Sequence, residues 1–87
     1  MKISQILQIS EGFNFLKGFS VKKLTNDTIQ LVLNHSRYDI RLINKSNQWQ
    51  LHRVDKNTQE SEKPINLNIE DRQTAIKEIA TAIVCLS

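Results

Sequence analysis

Besides its carboxylates, the chain carries three side chains that ligate transition metals at neutral pH, His35, His52 and Cys85, and no two of them stand three or four residues apart. That spacing would put two ligands on one helix face, so no preorganised metal site is expected. Cys85 lies in an apolar C-terminal stretch, where burial would raise its thiol pKa and leave it inert. No serine sits in a Gly-x-Ser-x-Gly elbow, and in Gly12-Phe13-Asn14-Phe15-Leu16-Lys17-Gly18 the lysine precedes the second glycine, the reverse of a phosphate-binding loop. The chain reads as non-enzymatic, with no cofactor and no metal.

Basic residues are the remaining source of chemistry. The net charge is +3 over 87 residues, too mild by itself to require a polyanionic partner. Its distribution is uneven. Residues 17–56 hold eight basic against three acidic residues, a local +5, whereas residues 57–87 hold three against five, a local −2. If a polyanion binds, the residues that would meet it are Lys22, Lys23, Arg37, Arg41, Lys45 and Arg53.

Those residues need elements to position them. Ile, Leu, Val and Phe supply 27 residues, enough for one core, and a single domain spanning residues 1–87 is expected. Ile3, Ile6 and Leu7 stand at helical spacing, with Ser4 or Ser10 available at a boundary, and predict a short N-terminal helix. Residues 11–18 read as a connection whose Phe13 and Phe15, like the following Phe19, fold back onto the core.

From Phe19 the period becomes two. Phe19 to Leu24, Thr28 to Asn34, Tyr38 to Ile43 and Gln48 to Val54 alternate as strands, separated by polar breaks that include the turn Asn44-Lys45-Ser46-Asn47. Residues 55–63 contain no apolar side chain and read as a mobile surface loop. Ile65, Leu67 and Ile69 alternate with asparagines as a short extra strand or an extended lead-in. A final helix is expected with Asn68 as its cap and Glu70 and Asp71 in its first turn. Its apolar stripe would comprise Ile69, Ile76, Ile79, Ala80, Ile83 and Leu86.

These patterns predict an α+β fold: an antiparallel meander of about four strands, covered on one face by the C-terminal helix, with a short N-terminal helix. If Ile29, Leu31, Leu33, Tyr38, Ile40, Leu42, Trp49 and Leu51 turn inward, Lys22, Gln30, Val32, Arg41, Ile43, Gln48, Gln50, His52 and Val54 are left outside. Such a polar, cationic face with apolar spots is expected to bind a protein partner or a second copy, through the face or a sheet edge. Single-stranded nucleic acid is the alternative, disfavoured because base stacking needs exposed aromatics and Phe, Trp and Tyr make up only 6% of the chain.

The longest apolar runs fall far short of the roughly 20 residues a membrane-spanning helix needs. Met1 to Gln5 lacks the apolar stretch of a secretory signal, so Met1 is expected to belong to the fold. A single cysteine fits a reducing, cytoplasmic setting without a membrane partner.

Overall fold

Five antiparallel strands in the order β1-β2-β3-β4-β5 form one sheet, and a helix lies at each end of the chain. The computed structural model describes residues 1–86, apart from the side chain of Leu86, whose expected place on the helical stripe lies outside the description. Helix α1 spans Ile3–Glu11, the strands are β1 Phe19–Lys23, β2 Thr28–Leu33, β3 Tyr38–Lys45, β4 Gln48–Asp55 and β5 Ile65–Asn66, and α2 spans Arg72–Thr81 before a π-helical turn at Ala82–Leu86. The class is α+β.

Alternation in β2, β3 and β4 places Ile29, Leu31, Ile40, Leu42, Trp49 and Leu51 on one face, and all six are buried. They share a single core with Ile6 and Ile9 of α1, Phe19, Leu67, and Ala75, Ile79, Ala82 and Ile83 of the C-terminal helical segment. Leu33 and Tyr38, expected inside, lie at the ends of their strands and are only half-buried. Trp49 Nε1 donates to the Met1 carbonyl at 3.1 Å, which ties the start of the chain to the sheet. Between β3 and β4 the turn narrows to Ser46 and Asn47, with φ of 53° and 64°. Two left-handed residues match the twist of a tight hairpin, and asparagine tolerates that conformation.

Several expectations are corrected. Lys2, not a serine, caps α1, and its N–H donates to Gln5 Oε1 at 2.8 Å. Ser10 is buried within the helix and donates to the Ile6 carbonyl at 2.8 Å. Phe19 is buried and Phe13 packs against the core, but Phe15 is 79% exposed. Helix α2 is capped by Asp71, whose Oδ1 accepts from Thr74 N at 2.9 Å, while Asn68 stays in the extended lead-in. Leu67 N donates to the Trp49 carbonyl at 2.9 Å, which keeps the chain beside β4 as far as the residue before Asn68.

The buried stripe of the C-terminal helical segment runs through Ala75 and Ile79 of α2 and Ala82 and Ile83 of the π-helical turn. Ile76 is 39% exposed, and Ile69 packs on the core from outside the helix. The small Ala75 and Ala82 are buried on that stripe together with Ile79 and Ile83. Cys85 is exposed, not buried. Residues 56–63 are largely exposed, but hydrogen bonds organise them: Asp55 N donates to the Glu60 carbonyl at 3.0 Å and Gln59 N to the Asp55 carbonyl at 2.8 Å. No helix among the described residues is long and apolar enough to cross a membrane.

Candidate binding face of the sheet

On the side of the sheet away from the core, strand register assembles rows from residues far apart in sequence. Lys22 pairs with Gln30, Gln30 with Arg41 and Arg41 with His52, so four side chains cross four strands in one line. Arg41 Nε donates to Gln30 Oε1 at 3.0 Å, which fixes the guanidinium along that row. Thr28, Ile43, Gln50 and Asn66 form a second row, closed by a hydrogen bond of 3.1 Å from Gln50 Nε2 to Asn66 Oδ1. Lys45 lies opposite Gln48 at the hairpin end of the same face. Burial pushes the pKa of the His52 imidazole below its ordinary value, and the positive charges of Arg41 and Lys45 push it the same way. His52 is therefore a neutral donor and acceptor at pH 7.

The six basic residues singled out from the sequence divide into two groups. Lys22, Arg41 and Lys45 share the outer face by alternation, and Lys23 sits exposed at the end of the edge strand. Arg53 has the opposite parity, beside Trp49 and Leu51, and lies with Arg37 around Tyr38 on the other side of the sheet. The Arg53 guanidinium lies 3.9 Å from the Tyr38 ring centroid and that of Arg37 lies 5.6 Å away. Both have acidic partners, Arg37 Nε with Asp55 Oδ2 at 2.9 Å and Arg53 Nη2 with Glu62 Oε1 at 2.7 Å. A cleft of about 270 Å³ lies there, lined by Arg37, Tyr38, Asp55, Thr58, Glu60, Ser61 and Glu62. Arg37 and Arg53 are thus each paired with a carboxylate on that side and lie off the row of Lys22 and Arg41.

Asp55 organises that corner. It accepts from Asn57 N at 2.8 Å, Thr58 N at 3.2 Å and Arg37 Nε at 2.9 Å. The two backbone donors, Asn57 first, hold its carboxyl below the ordinary aspartate value despite partial desolvation, and Arg37 adds to the effect. Val54, expected outside, has outer-face parity but is buried, and its backbone forms a bridge with Ser61 of the returning chain.

Gln30, Arg41, Gln50 and His52 were legible as outer-face residues from alternation alone. Asn66 was missed, since its place on the face depends on a two-residue strand. Among the described residues, no group of three or more His, Cys, Asp or Glu side chains could hold a metal ion. No protein-family model, no curated protein and no solved structure matches the chain.

Proposed function

We propose that this chain is a non-catalytic protein-binding domain that engages its partner through the outer face of the sheet. The observation that carries this reading is the row of Lys22, Gln30, Arg41 and His52. It displays two cations, an amide and a neutral imidazole, with half-buried Val32 and Ile43 nearby as apolar anchors. Amide and cationic groups around small apolar spots suit the polar rim and anchors of a protein interface. Single-stranded nucleic acid fits less well, because Trp49 is buried and Tyr38 lies beneath Arg53 on the opposite side. Base stacking has no platform on this face. A reducing, cytoplasmic setting belongs to the same proposal, on the strength of the single cysteine.

Selection of the whole chain against a random-peptide display library tests the reading. Enriched peptides whose binding is lost with Arg41→Glu and Ile43→Asp are the expected result. Failure to enrich any peptide, together with tight binding of a mixed-sequence single-stranded oligonucleotide, would overturn it.

A further inference from the structure

The two edges of the sheet are finished differently. On the side away from β1 the returning chain, which includes the two-residue edge strand β5, occupies the outward backbone groups of β4: Leu67 N donates to the Trp49 carbonyl, Glu62 N to the Arg53 carbonyl and Asp55 N to the Glu60 carbonyl. At β1, among the described residues, no segment of the chain does the same. Leu24 N donates to the Thr28 carbonyl and Asn34 N to the Gly18 carbonyl. With the register of β1 on β2, these bonds make residues 20, 22 and 24 the positions hydrogen-bonded to β2. Val21 and Lys23 therefore turn their N–H and C=O groups away from β2, and no backbone partner meets them there among the described residues.

We propose that this edge accepts an extended, acidic peptide segment as a sixth strand of the sheet. The proposal rests on the reading of the chain as a protein-binding domain and specifies the class of partner. Strand addition supplies affinity through the backbone ladder and specificity through alternate side chains. The charge of the edge selects the occupant. Strand β1 ends in Lys22 and Lys23 and contains no acidic residue, and Arg41 lies two strands away in the same row as Lys22. A second copy would bring two more lysines to the seam, whereas an acidic strand would neutralise those already present.

We take the added strand as antiparallel, like every neighbouring pair in the sheet, and this fixes which half of the ligand bonds to β1. Residues of the added strand opposite Val21 and Lys23 exchange hydrogen bonds with them and point their side chains toward the core side. Residues opposite Ser20 and Lys22 point their side chains to the outer face and their N–H groups away from β1. An alternating Glu-Val peptide thus sets its glutamates beside Lys22 and bonds to β1 through the backbone of its valines.

The test uses the full chain, labelled with nitrogen-15, and a ten-residue peptide of alternating glutamate and valine. The Val21 and Lys23 amides are expected to shift and to become protected from exchange. Methylating the valine nitrogens should weaken binding at least about tenfold, and methylating the glutamate nitrogens should change it less than about threefold. Val21→Pro, which removes a donor that β2 does not use, should match the loss seen with the valine-methylated peptide. Shifts confined to Arg41, Ile43 and His52 would overturn the edge proposal and leave the face reading standing. Absence of any shift at millimolar peptide, or peptide-free dimers that protect Val21 and Lys23, would also overturn it.

Discussion

The guanidinium of Arg53 lies 3.9 Å from the centroid of the Tyr38 ring, which places both residues on the side of the sheet opposite Arg41. Arg53 also holds Glu62 at 2.7 Å, so it joins β3 to the segment returning after β4. Replacing Arg53 by Gln is expected to lower stability by about 1 kcal/mol, through loss of the ring contact and the ion pair. Peptide binding should be unchanged. Urea denaturation and a binding isotherm on the same variant check both halves.

Arg41→Gln should do the reverse. Among the described residues its one side-chain hydrogen bond goes to Gln30, so stability should move by less than about 0.5 kcal/mol. Binding of the library-selected peptides should weaken at least about fivefold.

The same substitution should raise the pKa of His52, since Arg41 is one of the two cations that depress it. The rise is measurable by proton NMR titration of the imidazole. Because the folded-state value lies below the ordinary 6.5, the neutral ring stabilises the fold fully above that value, and the contribution fades as pH falls through the folded-state value. Arg41→Gln should narrow that acid-sensitive window.

Asp55 gives a second pH dependence, at lower pH. Its folded-state pKa lies below the ordinary 3.8, first through the Asn57 N–H and then that of Thr58. The stabilisation is complete above the ordinary value and is lost as pH falls through the folded one. Chemical denaturation from pH 6 down to pH 2 should therefore show a decline that is shallower in Asp55→Asn.

Ala75 is fully buried on the contact line of α2. Ala75→Leu should destabilise by about 1–3 kcal/mol, since the added carbons have no space to enter. Ile76→Leu at the exposed rim should cost less than about 1 kcal/mol. Thermal unfolding followed by Trp49 fluorescence distinguishes the two.

The contrast between Ala75 and Ile76 marks where sequence reading succeeds and where it stops. In β2, β3 and β4 strict alternation of large aliphatics with polar residues identified the buried face, and the Ser46-Asn47 turn set the pairing of Lys45 with Gln48. In the C-terminal helical segment, hydropathy picked out Ile79 and Ile83, which are buried, and also Ile76, which is exposed, while the small Ala75 and Ala82 give a weak hydropathy signal and are buried. The candidate face was legible as a set of residues but not as rows, because register depends on pairings made across the sheet. Arg53 stood at inward parity beside Trp49 and Leu51 in the sequence, yet its charge grouped it with Arg41. Only the position of Glu62, delivered by the returning chain, shows why an arginine is accommodated there. The open edge at Val21 and Lys23 is a property of backbone hydrogen bonding and leaves no side-chain signature.

The most direct test of the account is competition at about 0.15 M salt between a library-selected peptide and a mixed-sequence single-stranded oligonucleotide for the same sample, followed by fluorescence anisotropy of the labelled peptide. The peptide is expected to stay bound at oligonucleotide concentrations well above its own and to be released by Arg41→Glu. Displacement of the peptide by equimolar oligonucleotide would contradict it.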